Sequence, residues 1–185
     1  MIDVRQLSAR LGEFELRDVT FAIPASGYGV VIGPAGLGKT TLLEVIAGVV
    51  PARSGTVALA DRNVTTSPPD ERGAGLVYQH GYLFPHLSVL ENLQYGARDE
   101  ATVQELVQRL EIAPLTQRDV RALSGGERQL VSLARALARR PPVLLSITGN
   151  STRLSSCAAS SRAEGWRRSR AAIGMARAYG GSARA

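Results

Sequence analysis

The sequence predicts an α/β fold that combines an N-terminal antiparallel β portion with a helical subdomain. Short apolar runs separated by turn residues come first, as in strands. A glycine-rich loop at 33–40 then joins an apolar run to an amphipathic helix, and apolar residues recur at helical spacing between about 80 and 140. Strands, a loop-helix unit and an inserted helical block indicate an α/β core, and 185 residues suffice to bury it.

The first strands are predicted over 1–8 and 14–23. Apolar side chains alternate imperfectly along the second segment, at Phe14, Leu16, Val19 and Phe21. The stretch 24–27, Pro-Ala-Ser-Gly, supplies a turn. Residues 28–32 are apolar enough to predict a third strand, buried on both faces, that leads into the glycine-rich loop.

The glycine-rich loop has the spacing G-x-x-x-x-G-K-[ST], which is typical of phosphate-binding loops. Its glycines let backbone N–H groups turn inward, and the following helix adds the positive end of its dipole. Lys39 is the only lysine beside 21 arginines, and a compact ammonium fits a phosphate cradle that a guanidinium does not. Thr40 would offer its hydroxyl to Mg²⁺. The alternative is an ordinary glycine-rich turn between a strand and a helix.

The helix that begins at Lys39 is predicted to end at Gly48, because glycine favours the position just past a helix. Short strands are predicted at 55–59 and at 75–79. Between them, the Pro- and Gly-containing stretch 68–73 predicts a loop.

Three helices and a strand are predicted farther along the chain. Ser88 caps the first helix, with Glu91 as its capping-box partner. The second helix is predicted over 99–112 from its apolar spacing. The third begins at Ser124, and a Pro-Pro pair ends it before a buried strand at 143–145.

The stretch 123–129, Leu-Ser-Gly-Gly-Glu-Arg-Gln, is the second motif. Ser124 is a predicted N-cap, and Glu127 closes a capping box with it. Gly125 and Gly126 leave the helix N-terminus open to an anion. On its own, the pattern also fits an ordinary capped helix.

Together these motifs resemble those of ABC-transporter ATP-binding subunits. A Walker A motif at 33–41 is followed by a Q-loop glutamine at Gln79 and by the signature motif at 123–129. The resemblance spans 1–145. The stretch 77–93 is similar to the importer branch of the family, and the molybdate/tungstate-type subunits are the most similar.

The resemblance implies a P-loop NTPase core of ABC type that binds ATP and Mg²⁺. The nucleotide-binding residues would be Gly33, Pro34, Ala35, Gly36, Leu37, Gly38, Lys39, Thr40, Thr41 and Gln79. Thr40 would hold Mg²⁺, and Gln79 would contact Mg²⁺ or the attacking water. The signature residues Ser124, Gly125, Gly126 and Glu127 would bind a nucleotide held by the opposite subunit.

The partners implied by the family are a second ATP-binding subunit in a head-to-tail dimer, a transmembrane permease subunit and, indirectly, an external solute-binding protein. Tyr82, Leu83, Phe84 and Pro85 would meet a coupling helix of the permease, or else serve as an ordinary apolar loop anchor. We expect a cytoplasmic protein on the inner face of the membrane. No secretory signal or membrane span is evident, and the single Cys157 suits a reducing compartment.

The sequence departs from the family pattern at two places. Leu11 falls near the position of the aromatic residue that stacks on adenine, with Phe14 close by. After Leu145 the family continues with an Asp-Glu pair, whereas Ile147 and Thr148 stand at the positions of the Mg²⁺-orienting Asp and the catalytic Glu. Hydrolysis is therefore expected to be very slow, because phosphoryl transfer needs a held metal and an oriented nucleophile.

The predicted organisation is an ABC-type nucleotide-binding domain at 1–145, with its helical subdomain at about 80–140, and a tail at 146–185. Ser, Ala, Arg and Gly make up 29 of the 40 tail residues, a composition typical of disorder. We interpret the tail as a frameshift in a GC-rich coding sequence, because it begins inside a predicted buried strand. The alternative is a true basic tail for nucleic acid or a membrane surface.

The sequence thus predicts the ATP-binding subunit of an importer for molybdate/tungstate or another oxyanion. The alternatives are a non-hydrolysing nucleotide-binding or regulatory module and an ABC-type nucleic-acid ATPase. The net charge of +6 lies entirely in the tail, so the neutral body argues against nucleic acid. His80 and His86 lack the spacing of metal ligands and are interpreted as polar loop residues.

Overall fold

The computed structural model describes residues 1–147. Within that range the chain forms two compact units, one over Met1–Ala74 and the other from Gly75 onward. All but the first two residues of the predicted tail lie outside the described residues, including Thr148 and Cys157, and the domain boundary at residue 145 stays a prediction. Along 1–147, no helix has both the length and the apolar character needed to cross a membrane.

The first unit is built on a four-stranded antiparallel sheet with the order β2-β1-β3-β4. Its strands are β1 (Ile2–Leu11), β2 (Phe14–Ile23), β3 (Ser54–Leu59) and β4 (Arg62–Asn63). Ile2 of β1 lies opposite Ile23 of β2 and Leu59 of β3. The three longer strands confirm those predicted over the same segments, and the first extends three residues beyond its predicted end at residue 8.

The imperfect alternation along β1 and β2 results from register shifts between the two strands. The buried face of β1 changes from even to odd positions, with buried side chains at Ile2, Val4, Leu7 and Ala9. Gln6 and Asp18 lie at the irregularities with φ of 48° each. Their N–H groups donate to the hydroxyls of Thr20 (2.8 Å) and Ser8 (3.1 Å). An extra residue in the ladder reverses which side chains face the core.

The predicted buried strand at 28–32 is wrong. The segment has only single bridge residues at Tyr28 and Ile32 and no continuous strand. Those two side chains are 49% and 66% exposed. A strand buried on both faces needs neighbouring strands along it, and the four strands of the first unit's sheet do not include this segment. Apolar composition alone therefore overestimated its burial.

Helix α1 (Lys39–Ala47) confirms the helix predicted after the glycine-rich loop. It starts after Gly38, with φ of 74°, and ends at Gly48, with φ of 85°. The Gly48 N–H donates to the carbonyls of Glu44 and Val45, which satisfies the helix end. Six of its nine residues are buried: Thr41, Leu42, Leu43, Val45, Ile46 and Ala47.

The second unit pairs a two-stranded sheet with three helices. Its elements are β5 (Ala74–Val77), α2 (Val89–Gln94), α3 (Glu100–Arg109), α4 (Gly125–Ala138) and β6 (Val143–Ser146), where β5 pairs with β6. All of them lie where the sequence predicts a strand or a helix. Strand β5 is shorter than predicted, so Gln79 follows the strand instead of ending it.

Side-chain caps start all three helices of the second unit, and those at Ser88 and Ser124 confirm the predicted caps. Ser88 and Ser124 form complete capping boxes, and Asp99 accepts from the N–H of Thr102 at 2.7 Å. The helices enclose one apolar cluster of Val89, Leu93, Val103, Val107, Ile112, Leu115, Val120, Leu123, Val131 and Ala134. Because Leu123 is in that cluster, the start of α4 is anchored to the core.

Candidate functional site

The glycine-rich loop leaves the end of the irregular 28–32 segment and turns directly into α1. Gly36 and Gly38 both adopt the left-handed conformation, with φ of 85° and 74°. A side chain at Gly36 would meet no atom within 4 Å, so only the backbone angle requires glycine there. At Gly38 a side chain would also overlap the ring of Phe14. Such alternating backbone conformations turn successive N–H groups toward one point.

Lys39 lies at the mouth of this loop. Its Nζ donates to the carbonyl oxygens of Gly33 at 2.8 Å and Pro34 at 2.6 Å. Both partners are backbone carbonyls, so these contacts hold the ammonium in place without neutralising its charge. A fixed positive charge at the start of a helix is suited to binding an anion.

The two threonines after Lys39 face different surroundings. Thr40 is exposed, whereas Thr41 is only 7% exposed and packs in the core. The first turn of α1 contains no acidic residue, and no side chain caps Gly38. The N-terminal N–H groups of α1 therefore have neither a capping oxygen from that residue nor a nearby negative charge in the helix.

Phe14 belongs to this site, although the sequence prediction favoured no role for it. Leu11, near which the family's adenine-stacking aromatic would fall, is 49% exposed. Phe14 lies opposite Leu11 in the β1–β2 hairpin, and the tip of its ring lies against Gly38. Gly12 forms the hairpin turn with φ of 61°. A glycine between two strand-like segments is the sequence signal that could have placed Phe14 at the tip of the hairpin.

Arg72 holds the other end of α1 and was also missed. Its side chain donates to the helix carbonyls of Val45 (2.8 Å) and Ile46 (3.0 Å), and to the loop carbonyls of Ser67 (2.9 Å) and Thr65 (2.8 Å). The residue is only 4% exposed, and burial lowers the pKa of its guanidinium. A cation at a helix C-terminus stabilises the helix through its dipole. In sequence, an arginine in a polar loop gives no sign of this role.

Gln79 and the signature residues lie in the second unit. Gln79 is exposed in a turn two residues after β5. Ser124, Gly125 and Gly126 are exposed at the start of α4, and a side chain at Gly125 would meet open space. The signature motif is thus presented on a surface, with buried Leu123 as its anchor.

The first turn of α4 already carries a negative charge. The Ser124 N–H donates to Glu127 Oε2 at 2.7 Å, and the Glu127 N–H donates back to Ser124 Oγ at 3.3 Å. Arg118 Nη1 lies 3.7 Å from Glu127 Oε1. Hydrogen bonds from Ser124, followed by the charge of Arg118, lower the pKa of the Glu127 carboxyl. Glu127 is therefore ionised and engaged with its own helix.

The end of β6 carries an apolar side chain where the family resemblance places the Mg²⁺-orienting Asp. The Ile147 N–H donates to the Val77 carbonyl at 2.8 Å, and Ile147 is half-buried. The sequence has no Asp or Glu between Glu127 and Glu164. Strand β6 therefore brings no carboxylate to its end within the described residues.

The loop that follows Gln79 exposes aromatic side chains. Tyr82 is 64% exposed, and Pro85 is exposed as well, whereas Leu83 packs against the helical cluster. The packing of Leu83 fits the interpretation of this loop as an apolar anchor. His86 is exposed, with its ring centroid 6.0 Å from that of Phe84.

Residues from α2 and α4 fix the shape of this loop. Arg135 of α4 donates to the Tyr82 carbonyl at 2.9 Å, and its guanidinium lies 5.0 Å from the centroid of the Phe84 ring. Asn92 of α2 is fully buried and exchanges hydrogen bonds with the Phe84 backbone at 2.8 and 3.1 Å. The exposed aromatic groups are therefore held on a structured loop.

The match to known families decides what kind of protein carries this loop. Residues 16–146 match the ABC transporter family. The chain belongs to this family. Within this ABC chain, the match includes the glycine-rich loop, Gln79 and the signature motif, and it ends at the last residue of β6.

The relatives of this ABC chain include ATP-binding proteins of import systems. It is 41% identical to the molybdate/tungstate import ATP-binding protein WtpC of Thermococcus kodakarensis, over 77% of this chain and 46% of the relative. It is 46% identical to the molybdate/tungstate import ATP-binding protein WtpC of Archaeoglobus fulgidus, over 74% of this chain and 58% of the relative. It is 44% identical to the sulfate/thiosulfate import ATP-binding protein CysA of Burkholderia mallei, over 78% and 45%. The chain spans about half the length of these curated relatives.

Solved structures of ABC cassettes share the fold. One is a dimeric ATP-binding cassette in a post-hydrolysis state, bound to ADP and Pi, with a TM-score of 0.69, 27% identity, and coverage of 79% of this chain and 73% of the other. Another is a nucleotide-free ATP-binding cassette from an ABC transporter, with a TM-score of 0.70, 26% identity and coverage of 84% and 72%. The predicted ABC-type fold class is confirmed.

Proposed function

We propose that this chain is the nucleotide-binding part of an ABC importer subunit and that it binds MgATP at 33–41. The observation that carries the proposal is the phosphate-binding geometry at the start of α1. Two left-handed glycines, the fixed ammonium of Lys39 and a first turn without acidic residues all favour a polyphosphate anion there.

Mg²⁺ fits this site when it arrives with the nucleotide. Mg²⁺ in such sites takes one or two protein oxygens together with the substrate phosphates and keeps several waters. Thr40 is exposed and follows Lys39 in sequence, and its hydroxyl would supply one such oxygen. When bound, the ion would neutralise charge on the phosphate groups. The contacts of Gln79 and of the signature residues with nucleotide stay predictions.

The import role is proposed from the relatives. The printed names of WtpC and CysA refer to import of molybdate/tungstate and of sulfate/thiosulfate, so an oxyanion is the proposed cargo class. A permease in the membrane, a second ATP-binding subunit and an external solute-binding protein are the proposed partners. The permease would hold this chain at the inner face of the membrane. The structured aromatic loop around Tyr82 and Phe84 is the proposed contact with it.

A second candidate is a nucleotide-binding module that does not hydrolyse ATP. The observation in its favour is Ile147 at the end of β6, in a stretch without carboxylates. General-base help typically contributes about 10²–10⁴-fold to a reaction rate, so its loss would leave binding intact and turnover very slow. A nucleic-acid ATPase has no comparable support, because residues 1–145 carry no net charge.

Calorimetric titration of the full chain with MgATP tests the binding proposal. We expect saturable binding that Lys39→Ala weakens at least about 50-fold, because a charge-assisted contact is lost. Arg17→Ala is the matched control, because it removes an exposed cation whose carboxylate partner is Glu15. Equal binding by the Lys39→Ala variant would contradict the proposed site.

Phosphate release measured on the same samples separates the two candidate functions. A chain that binds MgATP with turnover far below about 1 per second, the low end for typical enzymes, supports the non-hydrolysing module. Turnover at or above that rate supports the transporter ATPase and would require a carboxylate outside the described residues. Salt-sensitive binding to DNA would instead favour the nucleic-acid ATPase.

A further inference from the structure

Phe14 contacts Gly38, the loop residue that immediately precedes α1. The Cζ and both Cε atoms of its ring lie where a side chain of Gly38 would be. Gly38 is the N-cap of α1, and its carbonyl accepts the first helical hydrogen bond, from Leu42, at 2.8 Å. The ring tip therefore occupies the space beside the residue that joins the loop to the helix.

The other end of Phe14 is fixed to the sheet. Phe14 is the first residue of β2, lies opposite Leu11 of β1 and is half-buried. The strand behind it pairs with β1 from Phe14 to Ile23, with two register shifts along the way. A ring mounted on a paired strand can limit the movement of Gly38, which as a left-handed glycine has more conformational freedom than other residues.

We propose that Phe14 is a positioning residue that holds Gly38, and through it the phosphate-binding N–H groups at the start of α1, in the binding conformation. The inference rests on the proposed nucleotide binding at 33–41. Because the Phe14 ring contacts the loop itself, its loss would weaken the binding of any ligand that binds through the loop. A stacking platform would instead present its ring face to a base and affect only ligands that carry one.

Two ligands and three variants distinguish these roles. Magnesium tripolyphosphate has the phosphate chain without the nucleoside, and MgATP has both. Calorimetric titrations of both ligands would be made with the full chain and its Phe14→Ala, Phe14→Tyr and Phe21→Ala variants. Phe21 is the matched control, because it is a half-buried phenylalanine of the same strand that lies opposite Val4, far along the ladder from the hairpin tip.

We expect Phe14→Ala to weaken both ligands by the same factor, about tenfold, because the loop loses its support. Phe14→Tyr should weaken both as well, because its hydroxyl would extend from the ring tip into Gly38. Phe21→Ala should leave both affinities within about twofold of the parent chain, since affinity follows contacts at the site. Thermal unfolding of each variant checks that it is folded. If Phe14→Ala does not fold, the titrations of Phe14→Tyr provide the test.

Three outcomes would overturn the inference. Weaker ATP binding with unchanged tripolyphosphate binding, and a tyrosine that substitutes for phenylalanine, would make Phe14 a base-stacking residue. Unchanged affinity for both ligands in the Phe14 variants would show that the ring does not position the loop. Equal losses in the Phe21 variant would show a general effect on the sheet. If the parent chain binds neither ligand, the proposed function itself fails, which is a separate result.

Discussion

The two glycine-containing helix starts of this chain look alike in sequence but differ in how their backbone N–H groups are satisfied. At α4, Ser124 accepts from the Glu127 N–H, and the Glu127 carboxylate accepts from the Ser124 N–H. At α1, Gly38 provides no side-chain cap, and the first turn has no acidic residue. Two N–H groups at the start of α4 are thus satisfied by its capping box, whereas no side chain caps the start of α1.

The comparison shows that the N-terminus of a helix can either be stabilised by a capping box or be left without a side-chain cap. A capping box stabilises a helix by placing an oxygen and a negative charge at its positive end. At α1 the stabilising interactions lie elsewhere, in the buried face of the helix and in Arg72 at its C-terminus. The start of α1, where phosphate binding is proposed, has no such cap.

The largest expected effect on stability is that of Gly38→Ala. A left-handed backbone costs a non-glycine residue about 1–2 kcal/mol, and overlap with the Phe14 ring adds to this, for a total of about 2–4 kcal/mol. Chemical unfolding followed by circular dichroism measures the loss. Gly36→Ala is the control, because it has the same kind of φ but open space around it, and should cost only about 1–2 kcal/mol. Equal losses for the two variants would mean that the Phe14 contact is unimportant.

A smaller effect is expected at the capped helix. Ser124→Ala removes the side-chain cap of α4 and should lower the free energy of unfolding by about 1 kcal/mol. Ser124→Thr, which keeps a hydroxyl cap, should retain most of that stability. The same chemical unfolding experiment applies. If alanine and threonine behave alike, the capping box does not stabilise α4 and the contrast between the two helix starts is weakened.

The smallest effect is a pH dependence that the start of α4, unlike that of α1, should show. Because the folded-state pKa of Glu127 lies below its unfolded value, its contribution is present above the usual glutamate value of 4.5 and is lost as the pH falls through the folded-state pKa. The stability difference between the parent chain and Glu127→Gln should therefore shrink as the pH falls from about 6 to about 3. A difference that stays constant over that range would contradict this role of Glu127.

Local signals predicted most of the secondary structure. The starts of α2 and α4 were predicted from the capping residues Ser88 and Ser124, α3 from its apolar spacing, and the end of α1 from Gly48. The loop at 33–41 was recognised because its backbone requirements appear directly as glycines at fixed spacing. Each of these features depends on hydrogen bonds among residues a few positions apart, so the sequence contains the whole pattern.

Features that depend on distant contacts were not predictable in this way. The segment 28–32 has the composition of a buried strand, yet strand formation depends on neighbours that the segment itself does not contain. The change of buried face in β1 follows from its pairing with β2 and β3, and the apolar pattern shows only that the alternation is imperfect. Interstrand pairing thus decided both outcomes.

By itself, the sequence determined that this chain has a lysine-bearing glycine-rich loop, a self-capped helix at the signature motif and no carboxylate at the end of its last described strand. The tertiary structure decided which side chains support that loop. Phe14 lies 24 residues before Gly38, and Arg72 lies 26 and 27 residues after Ile46 and Val45, whose carbonyls it binds. Hydrogen bonds between residues close in sequence can be predicted from sequence patterns. A side chain that packs against a backbone distant in sequence takes its position only when the chain has folded.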